Sequence, residues 1–577
     1  MSVINSHSRS RLVILTLAGV LCLRGPSSTA AAAQMPYAGQ SLNQTVWAAD
    51  SGGQEDGLPF KNPEQVLIAY PANEYSTTSA NVSILGACDY NYPLYLDGEE
   101  IETTRYGFFT VYVPLEVGKN TFTFENNGRQ KTLTVIRTKP ASSSGSGSSS
   151  SSKNTYKEYT DEVWGSININ YAMPRSKISA ADVSLLPLTK GTTFRILGED
   201  GSYYRIADGT YVSKSSVTLQ DEPLPDNRVT AARVEEDTNN LVTAVLTMNV
   251  NALYAVEQTE ASVSLTLYDT VSGAAPGISA NNLVKSVSVQ TDQSAGTTTY
   301  TFFFYENALL CGYDVFFRDG AMRFEMKQAP KLDGEGSLEG AVVLLDAGHG
   351  DQDNGTAGPL GTYGPVEKDI NLAITLAARD YLESRGAEVV LVREDDSFLS
   401  LSERVNLIRT VKPDISISIH GNALAVTSDF SKSSGYLTYY SYDYFNDAPD
   451  YINEQVSEAM GFSVRSPRQS NLSLTRLTAC PAVLLETSFL SNPADYELLI
   501  QPDYQKAFGE AIGKAAEAYL TEYAQPSYLL YTVKRGDTLS AISRNTGVSI
   551  RVIADYNHIE NINHIVAGQT LRIPVEA

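Results

Sequence analysis

The sequence predicts a multidomain chain in three zones. β-rich modules run to about residue 332, an α/β domain with a mostly parallel sheet spans 340–524, and a small α+β unit closes the chain over 529–575. Three observations predict this. Before residue 332, short runs of β-formers alternate with Gly, Asn and Asp turn signals. After Gly340, strand-like apolar runs alternate with helix-period stretches, the pattern of an α/β domain. From Tyr531, two strand-like ends enclose two short helical stretches. A chain of 577 residues also exceeds a single ordinary core.

The first segment reads as an address. Arg9 and Arg11 precede an apolar run, Leu12–Leu23, and small residues end at Ala31-Ala32-Ala33. This is the order of a signal peptide with cleavage after Ala33, so residues 1–33 are expected to be removed and the product secreted. The run is too short to span a bilayer comfortably. Cys22 lacks the small preceding residues of a lipoprotein signal, having Val20-Leu21 instead. Cys88, Cys311 and Cys480 remain; they are few, distant and form no CxxC pair, so isolated thiols are expected and a cysteine metal site is not.

Residues 34–60 are rich in Gly, Gln, Ser and Asp and read as a flexible lead-in. Over 61–138, strands are expected at Val82–Leu85, Leu94–Leu96, Phe108–Val113, Asn120–Phe124 and Thr132–Ile136, with hairpin turns at Asp97-Gly98 and Asn127-Gly128. The unit resembles a bacterial immunoglobulin-like sandwich. Residues 139–153 form a linker, because Ala141–Ser152 is almost all Ser and Gly and cannot bury apolar surface. Over 154–222, Lys190–Phe194, Ser202–Ile206 and Gly209–Val212 resemble a bacterial SH3-like barrel. A third β-rich block, 225–332, holds Leu241–Val250, Ala261–Tyr268, Val284–Gln290 and Thr297–Tyr305.

Composition narrows the function classes. Hydrophobic residues make up 42% and charged residues 19%, a globular balance. Lys and Arg number 43 against 66 Asp and Glu, a net charge of −23, which nothing would offset against nucleic-acid phosphates. No other segment is long and apolar enough to span a membrane once the signal is removed.

In the α/β domain, strands are expected at Ala341–Leu345, Glu388–Val392, Ile415–Ile419 and Ala482–Leu485. Lys368–Arg385 reads as a helix with Ile370, Ile374, Ala377 and Tyr381 on one face and Gly386 as its stop. Ser400–Glu403 forms a capping box for a helix toward Thr410, and Asp450–Met460 and Tyr504–Tyr519 complete the helices.

The chemistry-bearing residues fall at strand ends. His349, His420 and Glu486 each directly follow an expected apolar strand, and in open α/β sheets sites form outside the carboxyl ends of the strands. Glu367 opens a helix after a loop holding Gly355, Gly358, Gly361 and Gly364, free enough to fold back onto the same rim. Two His and one carboxylate make a zinc site with an open position, where bound water is acidified toward a pKa of about 7. A second carboxylate can take the water proton. Spacing alone leaves open which Glu is ligand and which is base. Singly, each group has a plainer reading as a turn residue or a helix-dipole complement; three strand ends together favour a site.

Four motifs carry a specific resemblance. Asp346–Gly355 resembles the opening motif of the zinc-dependent N-acetylmuramoyl-L-alanine amidases, Glu367–Leu372 the second, Ser418–Ala423 the third and Leu485–Asn492 the fourth, in family order. The resemblance implies His349, Glu367 and His420 as Zn²⁺ ligands and Glu486 as general base, later the acid that protonates the leaving amine. The bond cut would join the lactyl carboxyl of N-acetylmuramic acid to L-alanine. Asn422 would touch substrate or hold its loop, and Arg404 is structural. Asp351 and Ser488 each stand where the family usually has glycine, which bears on loop geometry rather than on chemistry. Some members carry a helix after the third motif that plugs the site; the short Ser-rich Ala425–Ser434 predicts none here. The 225–332 block resembles the β-sandwich that precedes such catalytic domains, or is a structural spacer.

The C-terminal unit, from Tyr531–Ile542 to Val566–Pro574, resembles a LysM domain over its full length. That implies binding of N-acetylglucosamine-containing glycan, with Gly536, Asp537 and Thr538 and the loop near Asn557–Asn563 lining the groove; helix capping and core packing are the plainer roles. His558 and His564 read as solvated loop residues. The chain is thus expected to be a secreted, wall-associated bacterial peptidoglycan hydrolase. Two rivals remain: a non-catalytic wall-binding scaffold, and a zinc peptidase acting within the stem peptide.

Overall fold

The computed structural model describes residues 60–140, 156–178, 186–221, 224–236, 240–305, 308–332, 336–442, 448–524, 528–557, 559 and 561–574. The expected signal segment, the lead-in through residue 59 and the Ser/Gly stretch Ala141–Ser152 lie outside the described residues. Among those described, no helix is long and apolar enough to cross a membrane.

The chain is multidomain with a strand-rich N-terminal part. Its first unit stacks two sheets. One holds Leu67–Tyr70, β1 (Asn81–Ala87) and β2 (Phe108–Pro114); the other has five strands, including Gly118–Asn126 and Arg129–Arg137. Their inner faces meet through Val82, Ile84, Phe109, Phe124, Leu133 and Val135. Asp97-Gly98 and Asn127-Gly128 turn the hairpins with positive φ at both positions of each pair, as the right-handed strand twist requires. Phe60 corrects the sequence reading. Composition placed it at the end of a flexible lead-in, yet it is 2% exposed and packs against Phe108, because an aromatic ring finds an apolar partner.

The next two β-rich blocks are joined by their cores. A five-stranded sheet centred on Thr193–Asp200 and Lys157–Ile167 shares one apolar cluster with a pair of sheets from 227–328, linking Phe194 and Val212 to Tyr254, Tyr300 and Phe324. The last strands of that pair, β3 (Leu310–Arg318) and β4 (Ala321–Gln328), pair antiparallel and face the α/β domain.

That domain is built on six strands: β5 (Val342–Ala347), β6 (Glu388–Leu391), β7 (Ile415–Asn422), β8 (Leu437–Tyr440), β9 (Arg468–Gln469) and β10 (Ala482–Phe489). Their order is β6-β5-β7-β10-β8-β9, parallel throughout except where β8 meets β10. Five helices accompany them: α1 (Glu367–Ser384), α2 (Leu401–Val411), α3 (Ala448–Met460), α4 (Pro493–Leu499) and α5 (Pro502–Tyr523). Odd positions such as Val343, Leu345, Ile417, Ile419 and Leu485 join the core with α1, α3 and α5. The opposite face packs Leu344 against Ile408 of α2. Ser400 caps α2 as its sequence indicates, exchanging hydrogen bonds with Glu403. The C-terminal unit pairs Tyr528–Thr532 with Thr570–Pro574 around α6 (Leu539–Thr546) and α7 (Ile550–Tyr556).

Two junctions fix the β-rich units to the α/β domain. The first sandwich lends Phe60, Ala87 and Phe108 to the α/β core. The third block uses charge: Arg409 meets Asp314, Lys412 meets Glu325, and Lys327 lies 3.0 Å from Asp414. Asp414 also accepts the Val342 amide at 2.8 Å, anchoring the start of the sheet. Its side chain is 2% exposed, so removing only the cation would strand a buried carboxylate. Lys327→Met is expected to destabilise the full chain by about 3–5 kcal/mol, checked by chemical denaturation followed at the α/β domain's tyrosines.

Candidate active site

Parallel strands all end at one edge, and the site is assembled there. Ala347 of β5 is level with Ile419 of β7, so His349, two residues further on, reaches the space above His420. His420 is in turn the direct cross-strand partner of Glu486. The sequence placed both of these after their strands. They lie inside them, because β7 runs on to Asn422 and β10 to Phe489. Beyond the His420–Glu486 pair the register shifts, and Asn422 pairs with Phe489 across the irregularity.

Glu367 is the hub. Its Oε1 lies 3.0 Å from His349 Nε2 and 3.1 Å from His420 Nδ1. The two rings sit edge to face with centroids 5.0 Å apart. The Gly421 amide donates to Oε1 at 3.1 Å and the Thr356 amide to Oε2 at 2.7 Å, so both carboxylate oxygens are fixed. His349 Nδ1 lies 2.8 Å from Asp353 Oδ2. With Nδ1–H donating to Asp353, the Nε2 lone pair confronts a carboxylate oxygen. Two acceptors at that distance repel unless something positive joins them.

The electrostatics express this demand. Burial alone would lower the His349 pKa, but the Glu367 and Asp353 carboxylates outweigh it and lift it to about 9. Burial alone would raise Glu367, but its bonds to the two imidazoles hold it far below the usual carboxylate range. The three ligand atoms lie within 4.8 Å of one another and could hold a metal ion. The donor set fits zinc: a tetrahedral ion with bonds of about 2.0–2.1 Å separates its ligands by roughly 3.3 Å, close to the 3.0 and 3.1 Å between Glu367 and the two histidines.

Glu486 differs from Glu367. The residue is partly exposed, yet its Oε2 is buried and has no hydrogen-bond partner among the described residues. Burial pushes its pKa up to about 7, with the neighbouring His420 opposing and Glu367 adding to the rise. Tyr439 of β8 is raised first by burial and then by the Glu486 charge.

Several residues that hold the site escaped the sequence reading. Arg393, 3% exposed, donates to the carbonyls of Ala347 (2.9 Å), Gly348 (3.0 Å) and Lys368 (2.7 Å). Arg404 binds Asp346, the Ala347 carbonyl at 2.9 Å and the His349 carbonyl at 2.7 Å, in keeping with a structural role. Asp495 accepts from Ser488 Oγ (2.6 Å), the Phe489 amide (3.0 Å) and Ser434 Oγ (2.6 Å). Ser488 is therefore a tie between the fourth motif and α4. Asp353 stood within the first motif, four residues from His349, and that spacing could have suggested it. Arg393 carries no comparable signal, since it acts through main-chain carbonyls 25 or more residues away, and Asp495 stands outside the four motifs.

Asn422 accepts a hydrogen bond from the Ala423 amide at 2.8 Å, so its carboxamide shapes its own turn. Ala425–Ser434 contains only the 3₁₀ turn Phe430–Lys432 and lies against β1. In the C-terminal unit, Asp537 accepts from Tyr531 (2.7 Å) and from the Lys534 amide (2.8 Å), Thr538 caps α6, and Gly536 adopts φ +97°. His558 and part of the Asn557–Asn563 loop lie outside the described residues.

The N-acetylmuramoyl-L-alanine amidase family model matches residues 343–518, and the LysM domain model matches 531–574. The germination-specific N-acetylmuramoyl-L-alanine amidase of Bacillus subtilis is 32% identical over 206 residues, 33% of this chain and 84% of that protein. The uncharacterized protein YqiI of the same organism is 34% identical over 196 residues, 33% of this chain and 90% of that one. The solved catalytic domain of CwlV, an amidase from Bacillus (Paenibacillus) polymyxa, is 35% identical, covering 31% of this chain and 98% of that one with a TM-score of 0.29. The chain belongs to the N-acetylmuramoyl-L-alanine amidase family and also carries a LysM domain.

Gly348 tests how tightly the centre is packed. A Cβ there would stand 2.3 Å from His420 Cε1. Gly348→Ala is expected to displace His420 and weaken metal-ion binding at the His–Glu–His cluster by about ten- to a hundredfold, read by isothermal titration.

Proposed function

We propose that the protein is a secreted, wall-associated peptidoglycan hydrolase that uses zinc-activated water to cut the amide between N-acetylmuramic acid and L-alanine. The observation that carries this is the pairing of a His–Glu–His cluster with Glu486, one strand away, whose Oε2 is buried and without a hydrogen-bond partner among the described residues. His349, Glu367 and His420 would hold Zn²⁺. Zinc bound there would acidify a water toward a pKa of about 7 and polarise the scissile carbonyl. Glu486 takes the proton as the water oxygen attacks the lactyl carbonyl carbon. It returns that proton to the amide nitrogen as the C–N bond breaks, leaving a muramoyl carboxylate and a peptide that begins with L-alanine. A carboxyl poised near neutrality suits both halves of this shuttle. Asp353 fixes the His349 ring, and the Asp495–Ser488 tie fixes the strand end that carries Glu486. Asn422 holds its turn and is placed to meet the substrate.

The other modules would serve localisation and spacing. Residues 1–33 act as the export signal. LysM, 529–575, binds N-acetylglucosamine-containing glycan through Gly536, Asp537 and Thr538. The units at 61–138, 154–222 and 225–332 are read as immunoglobulin-like, SH3-like and amidase-N-terminal-like domains. Ala425–Ser434 forms no plug over the cluster.

Purified wall digested by the zinc-loaded full chain should release L-alanine-led peptides by mass spectrometry, and chelation should stop the release. Peptides with another first residue would instead indicate cleavage within the stem. Glu486→Gln is expected to lower kcat by about 10²–10⁴ with zinc content unchanged, since Oε2 has no partner to lose; full activity in that variant would remove Glu486 from the mechanism.

A further inference from the structure

We propose that the first β-rich unit is a positioning element of the catalytic centre, with Phe108 supporting the loop that leads into Glu367 and Ser83 holding the segment that follows the His420 strand. The inference rests on reading the His349–Glu367–His420 cluster as a metal site.

The first contact runs through Tyr496. Phe108 of β2 is fully buried and meets the Tyr496 ring edge-on, with centroids 5.3 Å apart. On its other side Tyr496 supports the glycine-rich loop. A Cβ on Gly358 would lie 2.2 Å from the Tyr496 ring, so only glycine permits the approach. The Tyr496 hydroxyl donates to the Pro365 carbonyl at 2.8 Å, two residues before Glu367. The loop is closed at its far end by the Glu367 amide on the Thr356 carbonyl, 2.9 Å. An aromatic column thus stands between the sandwich and the loop that aims Glu367.

The second contact holds the segment after His420. The Ser83 amide donates to the Val426 carbonyl at 2.7 Å, as an added strand would. Ser83 Oγ donates to the Ser428 carbonyl at 2.7 Å and accepts from the Phe430 amide at 3.2 Å. Tyr112 adds a bond to the Thr427 carbonyl at 3.2 Å. Ser83 and Phe430 are fully buried. A mere spacer would leave these main-chain groups and the Tyr496 ring to the α/β domain alone. Here their partners come from more than 300 residues earlier in the chain.

The test uses the full-length protein. Zinc affinity is measured by competition with a chromophoric chelator, alongside kcat, KM and thermal unfolding. Phe108→Ala and Ser83→Ala are expected to weaken zinc binding by about ten- to a hundredfold and to lower kcat with KM little changed. Phe108→Leu should restore most of the loss, and Tyr496→Phe, which removes only the hydroxyl, should reproduce part of it. Arg105→Ala removes an exposed side chain that pairs with the partly buried Glu497 at the same junction, and should leave zinc affinity and kcat within twofold of the parent. If Phe108→Ala does not fold, Ser83→Ala and Tyr496→Phe decide. Zinc affinity and kcat within twofold of the parent in folded variants would overturn the proposal. A parent protein that binds no zinc would instead overturn the metal reading on which it stands.

Discussion

The structure turns on the space between His349 Nε2 and Glu367 Oε1, 3.0 Å apart. With Asp353 on the other ring nitrogen, two acceptors face each other in a buried setting, and only a positive charge reconciles them. A proton on Nε2 can do so, and so can a divalent cation in its place. The surrounding bonds keep that confrontation from relaxing. Amides of Thr356 and Gly421 fix the carboxylate, Arg393 and Arg404 clamp the first motif, and the Gly348 backbone leaves no room beyond the His420 ring.

The two glutamates show how place assigns role. Glu367 and Glu486 have the same side chain and stand at the same edge of one sheet. Glu367 is surrounded by donors and remains ionised. Glu486 is desolvated without donors and is drawn toward neutral pH. One is suited to hold a cation, the other to exchange a proton.

The modular order along the chain gives way to shared packing in space. The second and third β-rich blocks share an apolar cluster, and the first extends the core of the α/β domain through Phe60 and Phe108. The third block is secured by buried ion pairs that impose geometry more than they add stability. Substrate would therefore meet a surface whose supports come from several modules.

Much of the centre was legible because parallel β/α patterning has few solutions. Apolar runs ending in His349, His420 and Glu486 must deliver those groups to one edge, whatever the loops do. Hairpin turns such as Asn127-Gly128 and the Ser400 cap were equally local, since backbone sterics and one hydrogen bond determine them. The division of labour between Glu367 and Glu486 was not local. It depends on the Thr356 and Gly421 amides and the His349 and His420 rings at one carboxylate, and on an Oε2 with no partner among the described residues at the other, which only the folded chain decides. The roles of Arg393 and Phe108 were likewise invisible, because each acts across long stretches of chain through carbonyls or a ring face that leave no periodic trace in the sequence.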